Sequence, residues 1–196
     1  GNLFATTAVN EVVCLDARNG NLRWRFAASP QKSTLVNRGV SYWQNRDDRR
    51  IFTTYNDSLY ALDYYTGQRI GDFGLNGGVS LKSGLGESVG DKFVTSRTPG
   101  TIFQNLIIMP TVVSEGEGAA PGFIQAFDVI TGKIRWVFHT IPRPGEYGYG
   151  TWPEDAHISS RIGGANNWAG MSLDVKNEIL YVPTGSASPD FYGGDR

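Results

Sequence analysis

Cysteine is nearly absent from the 196 residues: Cys14 stands alone, which excludes an intrachain disulfide and any metal site built from several thiolates. It lies in Val12-Val13-Cys14-Leu15, the setting of a small buried hydrophobe. A dominant charge is missing too. Lys and Arg total 18 against 19 Asp and Glu, a net charge of −1. That balance creates no field to gather nucleic acid or anionic lipid, so no nucleic-acid partner is expected. No uninterrupted apolar run approaches the ~18 residues of a membrane-crossing helix. Gly1 does not open a basic segment followed by an apolar one, so any signal peptide or anchor is expected outside this sequence. The two histidines, His139 and His157, lack a companion cysteine or zinc-site spacing, which favours structural or surface roles over metal binding. No Gly-x-Ser-x-Gly elbow occurs, which lowers the expectation of a hydrolase.

What is abundant points to short strands and tight turns: 25 glycines, 9 prolines and 12% aromatics with only 19% charged residues. A repeat organises them. Cys14-Leu15-Asp16-Ala17-Arg18-Asn19-Gly20-Asn21-Leu22-Arg23-Trp24 matches Ala126-Phe127-Asp128-Val129-Ile130-Thr131-Gly132-Lys133-Ile134-Arg135-Trp136, with Asp, Gly and Trp spaced by four. A third copy runs from Ala61 to Gly71, with Gly71 in place of tryptophan. Each copy reads as strand, turn, strand. The Asp side chain starts the turn and the Gly takes the left-handed conformation. Trp24 and Trp136 are expected to pack between neighbouring sheets.

Strand-like runs precede each copy (3–7, 51–55, 106–110), and a fourth run, 179–184, opens another unit. The intervals of 47 residues from Asp16 to Asp63 and 65 from Asp63 to Asp128 suit β-propeller blades carrying loop insertions, since a blade takes ~40 to 50 residues. The expected fold is all-β: a partial propeller of about three blades and part of a fourth. The blades are placed near 1–45, 46–100, 101–165 and an incomplete 166–196, an interior piece of a larger ring. A self-contained β-sandwich is the alternative.

Two long insertions stand out. Asn76 to Asp91 contains Gly84-Leu85-Gly86-Glu87-Ser88-Val89-Gly90, which has the wrong spacing for a phosphate loop and is followed by a strand rather than a helix. Nucleotide binding is rejected there. The segment from His139 to His157 carries Tyr147, Tyr149 and Trp152, too aromatic for a flexible linker, and reads as an ordered rim. The alternating charges Arg46-Asp47-Asp48-Arg49-Arg50 read as a solvated hairpin tip.

Five further segments carry a resemblance: Asn37-Arg38-Gly39-Val40, Val94-Thr95-Ser96, Gly122 to Asp128, Gly163-Gly164-Ala165-Asn166-Asn167-Trp168 and Pro183-Thr184-Gly185-Ser186-Ala187-Ser188-Pro189-Asp190. In that order, on that repeat, the whole chain resembles the pyrroloquinoline-quinone (PQQ)-dependent dehydrogenases, which are eight-bladed propellers. The last segment is most similar to their glucose dehydrogenase branch. PQQ is a flat tricarboxylated ortho-quinone, so its site needs a cation for carboxylates, an aromatic platform and a hard metal at the quinone oxygen.

The resemblance implies Arg38 as the carboxylate contact, Trp168 as the stacking platform and Asn166 as a polar ring contact. It places Ser96 and Thr98 near hydroxyl contacts to the carboxylates. For Ca²⁺ it implies an acidic ligand at Glu115 or Glu117 and a second ligand at Ser186, where the family usually has Asn. Lys32-Ser33-Thr34-Leu35 stands where relatives cap the cofactor with vicinal cysteines or a histidine. The family's catalytic Asp is expected beyond Arg196, so no catalytic residue is assigned in this chain and the chain by itself is expected to be inactive.

The implied function is part of a periplasmic dehydrogenase that oxidises an alcohol or aldose hydroxyl. Hydride would pass to PQQ, and electrons onward to ubiquinone or a cytochrome c. The alternative is a non-catalytic propeller scaffold of the outer-membrane assembly type. A scaffold has no reason to hold Arg38, Trp168 and an acidic metal ligand together.

Overall fold

The computed structural model describes residues 1–31 and 36–194, so the Lys32–Leu35 segment expected to bear on the cofactor roof lies outside the described residues. In chain order the strands are β1 (Asn2–Thr6), β2 (Val12–Asp16), β3 (Leu22–Phe26), β4 (Ser41–Asn45), β5 (Asp48–Tyr55), β6 (Ser58–Asp63), β7 (Gly78–Ser80), β8 (Val94–Thr95) and β9 (Thr101–Phe103). They continue with β10 (Leu106–Met109), β11 (Val112–Val113), β12 (Ile124–Asp128), β13 (Ile134–Phe138), β14 (Gly163–Gly164), β15 (Ser172–Asp174), β16 (Ile179–Tyr181) and β17 (Ala187–Ser188). Helix is limited to 3₁₀ turns at Glu87–Val89, Tyr149–Thr151 and Ala156–Ile158 among the described residues.

Four antiparallel sheets succeed one another: β1-β2-β3, β4-β5-β6-β7, β9-β10-β12-β13 and β15-β16. Ser41–Asn45 pairs with β5, so the second sheet begins at Ser41 rather than after residue 45. Each sheet packs on the next. Val12, Cys14 and Trp24 of the first meet Ile51 and Leu62 of the second. Phe52, Leu59 and Ala61 share a core with Ile107, Met109 and Phe127 of the third. Ile108, Ile124 and Ala126 face Leu180 of the fourth. Successive antiparallel sheets packed face to face make a run of propeller blades.

The repeat explains the hairpins. Asp128 Oδ1 accepts from the backbone N–H groups of Ile130 and Thr131 and from the Thr131 hydroxyl. Asp63 does the same with Tyr65 and Thr66. Gly20, Gly67 and Gly132 each take a positive φ, between 70° and 76°, and donate their N–H back to the Asp carbonyl. In both tryptophan-bearing copies a register shift follows at the same place, Cys14/Leu15 and Ala126/Phe127. These donors hold Asp128 below the usual carboxylate range although burial pushes it up.

The third copy departs where tryptophan is replaced. Arg69 still bridges to Leu62, but the chain then leaves the sheet at Gly71 and re-enters at β7 to pair with the first half of β6. Without an indole to seat against the sheet, that half of the ladder is completed by residues from beyond the detour.

Cross-blade contacts fix the order. The Trp24 indole is 8% exposed, donates to the Tyr64 carbonyl at 3.1 Å and covers Gly67, where a Cβ would come within 2.5 Å of the ring. Trp43 donates to the Gln104 carbonyl. The charge run opens on a turn at Arg46–Asp47, but Arg50 lies in β5 and is buried. Its guanidinium pairs with Asp48 and donates to the carbonyls of Val129 and Ile130 in the next blade, so one arginine of the expected solvated tip is an interblade clamp. Trp136 also departs from expectation. It is 37% exposed and lines an apolar groove with Ile124, Phe138, Leu180 and Val182. The fourth sheet has two strands among the described residues, and they hold no counterpart of the Tyr64–Gly67 turn that covers Trp24. Cys14 is fully buried, and burial pushes its thiol pKa up, so it is inert packing.

The His139–His157 segment is an ordered rim. His139 Nδ1 meets Glu146 at 2.6 Å and its ring edge packs on Phe123. The Arg143 N–H and His139 hold the Glu146 carboxyl below the ordinary carboxylate range.

Candidate functional site

Two short ladders off the blades build the site: β8 with β11, pairing Thr95 with Val112, and β14 with β17, pairing Gly163 with Ser188. Gly164 has φ +67°, and a Cβ there would sit 2.8 Å from Ser188 N, so glycine permits the close approach of these two segments. Further backbone bonds lace them together, from Ala165 N to Ser186 O and from Gly185 N to Asn166 O. The Asn166 side chain donates to Thr111 O at 2.7 Å and Thr111 N to Asn167 O at 2.8 Å.

The result is a cavity of about 340 Å³ whose walls include Arg38, Glu115, Asn166, Trp168 and Ser186, together with Arg97, Ser188 and Asp190. Five expected site residues, separated by up to about 150 positions in sequence, thus line one space. Its size is within the range of small-molecule sites.

Arg38 is held at both ends. Its backbone N–H donates to Arg97 O. Its guanidinium donates to Thr98 Oγ1 at 3.0 Å and to the Trp168 carbonyl at 3.4 Å. Thr98 Oγ1 in turn donates to that same carbonyl. Thr98 therefore ties Arg38 to the Trp168 loop and does not itself line the cavity. Ser96 is buried, and its hydroxyl donates to the Thr98 carbonyl. It does not line the cavity.

Between the two candidate acidic residues the geometry discriminates. Glu115 lines the cavity, and its carbonyl accepts from Asp190 N. Glu117 pairs with Arg161 at 2.6 Å with both side chains more than half exposed. No cluster of three His, Cys, Asp or Glu suited to a metal ion occurs among the described residues. Glu115 and the Ser186 hydroxyl are oxygen donors of the kind Ca²⁺ takes, but they are too few for the 6–8 oxygens it needs.

Three residues escaped the sequence reading. Asn167 is fully buried; its amide donates to the carbonyls of Gly170 and Pro183 and accepts from Gly170 N, pinning the loop that presents Trp168. Arg97 and Ser188 line the cavity, and the buried Arg97 Nε and Ser188 Oγ have no hydrogen-bond partner. Among the described residues, two buried donors without a protein acceptor thus belong to residues that border the cavity. PQQ, with its carboxylates and quinone oxygens, is rich in acceptors, and the Trp168 side chain, 53% exposed, is accessible at the cavity wall.

The family model for the PQQ glucose/ethanol/alcohol dehydrogenase β-propeller domain matches residues 1–196. The quinate/shikimate dehydrogenase (quinone) of Acinetobacter baylyi is 31% identical over 99% of this chain and 27% of its own length. Quinoprotein glucose dehydrogenase A of Acinetobacter calcoaceticus is 29% identical over 100% of this chain and 27% of its own. The chain therefore spans about a quarter of the length of these curated relatives. Among solved structures, the quinohemoprotein alcohol dehydrogenase of Comamonas testosteroni superposes with a TM-score of 0.74 over 96% of this chain and 28% of its own, at 23% identity, which supports the propeller fold. On the repeat, the blade packing and the full-length family match, the chain belongs to the PQQ glucose/ethanol/alcohol dehydrogenase β-propeller family.

Proposed function

We propose that this chain supplies one wall of the cofactor site in a quinoprotein dehydrogenase that oxidises the CH–OH group of an alcohol, polyol or aldose. The observation that carries the reading is the meeting of Arg38, Glu115, Asn166 and Trp168 in one cavity. Relatives are named for quinate or shikimate, glucose and glycerol, all molecules that carry CH–OH groups, which supports that substrate class. When bound, PQQ accepts the hydride from the substrate carbon.

The residues of this chain bind and orient. Trp168 offers its ring face to the planar cofactor. The Arg38 fork suits a carboxylate, and its bonds to Thr98 and the Trp168 carbonyl fix it relative to the platform. Asn166, tied to Thr111 through its amide N–H, would offer its amide oxygen to the cofactor. Glu115 and Ser186 would hold Ca²⁺ as part of a larger oxygen set. A tricarboxylate bound beside Glu115 is repelled by its carboxylate, and a cation between them relieves that repulsion. The general base that takes the hydroxyl proton is assigned to an Asp in the segment beyond Arg196 in the family pattern. A periplasmic location and transfer of electrons to ubiquinone or cytochrome c complete the proposal. The word quinone in one relative's name supports the first acceptor.

The test is a PQQ titration of the full-length apoprotein with Ca²⁺, wild type against Trp168→Ala. A lost platform weakens binding on the scale of ~1–3 kcal/mol known for stacked flat rings, with a smaller effect on folding. A variant that melts earlier yet binds PQQ like the wild type would show Trp168 to be a core residue and the site to be misplaced.

A further inference from the structure

We propose that Arg97, with Ser188 beside it, is a second carboxylate anchor of the cofactor cavity; the inference rests on the PQQ reading above. Six buried side-chain polar atoms lack any hydrogen-bond partner among the described residues, and two of them, Arg97 Nε and Ser188 Oγ, belong to residues lining this one cavity. Ser188 is 1% exposed, so its hydroxyl cannot turn to bulk water. Both residues line the cavity, and both groups are donors without a protein acceptor among the described residues. No carboxylate pairs with the Arg97 guanidinium among the described residues.

The division of labour follows from Arg38. Its Nη1 already donates to Thr98 Oγ1 and the Trp168 carbonyl, which leaves part of its fork for a ligand. PQQ carries three carboxylates around a flat ring system, and one partly committed fork cannot engage them all. Arg97 stands next to Arg38 through the bond from Arg38 N to Arg97 O, so the two cations share one wall. Glu115 lines the same cavity, and a second guanidinium offsets its repulsion of a polyanion.

The experiment measures equilibrium PQQ binding to full-length apoprotein by quenching of tryptophan fluorescence, with thermal unfolding followed in parallel. Arg97→Gln raises Kd about 10- to 100-fold, the loss expected when a charge-assisted hydrogen bond disappears, and Arg97→Lys restores part of it. The trimethyl ester of PQQ, which keeps the ring but loses the charges, binds Arg97→Gln and wild type alike. Wild-type affinity of Arg97→Gln for PQQ, alongside weakened binding by Trp168→Ala, overturns the anchor and leaves the site reading standing. Equal weakening toward PQQ and its ester shows a structural role and also overturns it. If Arg97→Gln does not fold, the ratio of PQQ to ester affinity in Arg97→Lys decides, since a carboxylate anchor must lower that ratio. Unchanged PQQ binding in both Arg38→Gln and Trp168→Ala is the separate result that removes the cavity as the cofactor site.

Discussion

Asn167 separates packing from chemistry within a single side chain. Its amide nitrogen faces two carbonyls, Pro183 O at 2.6 Å and Gly170 O at 2.9 Å, while its oxygen accepts from Gly170 N at 3.0 Å. The residue is fully buried, so water cannot replace any of these bonds. Asn167→Ala removes three hydrogen bonds worth about 0.5–1.5 kcal/mol each, which predicts a loss of about 2–4 kcal/mol in the unfolding free energy of the full-length protein. Asn167→Asp is the sharper test because it preserves shape. At neutral pH it sets a carboxylate oxygen against two carbonyl oxygens where a donor stood, so the isosteric variant should be less stable than the alanine one. Both variants free the loop that carries Trp168, and PQQ affinity should fall with stability. Urea unfolding followed by fluorescence, with a PQQ titration on the same samples, reads both. An Asn167→Asp protein as stable as wild type would refute the reasoning, because it would mean that the amide is not donating to those carbonyls.

Two further outcomes follow from the hairpins. Asp16 accepts from the Arg18 side chain and N–H and from the Arg23 side chain, which hold its carboxyl far below the usual range. A depressed folded pKa stabilises above the unfolded value of about 3.9 and is lost as pH falls through the folded one. The melting deficit of Asp16→Asn should therefore be full at pH 7 and shrink below about pH 4; a deficit independent of pH counts against these bonds. Gly67→Ala and Gly20→Ala share a positive φ, costing roughly 1 kcal/mol each. At Gly67 the new Cβ also meets the Trp24 ring within 2.5 Å, whereas Gly20 faces open space. The Gly67 variant should be the less stable of the two by more than 1 kcal/mol, about the lower limit for overpacking, and equal stabilities would remove Trp24 from the blade interface.

The hairpins were legible because their causes are local. An Asp that caps its own turn and a Gly at positive φ act within five residues, so the spacing of Asp, Gly and Trp revealed the turns before any long-range contact was known. Trp24 and Trp136 have the same local sequence setting, yet only the first is covered, because covering an indole depends on the neighbouring blade. Arg50 likewise read as solvent-facing until Val129 and Ile130 of the next blade supplied its acceptors.

At the site the limit was one of register. The resemblance pointed to Ser96 and Thr98, but in an extended segment adjacent side chains face opposite sides, and a slip of one residue exchanges wall for interior. Arg97 took the wall position, Ser96 the interior. Glu115 and Glu117, two positions apart in a glycine-rich loop, were equivalent on sequence. The bond from Asp190 N to Glu115 O and the Glu117–Arg161 pair set one at the cavity and the other on the surface. The sequence by itself determined the blade repeat and the residue types a planar polyanion requires, since both are written in short-range spacing and side-chain chemistry. Which of those side chains share a cavity was decided only by the tertiary structure, because the ladders β8–β11 and β14–β17 join segments whose pairing no local pattern encodes.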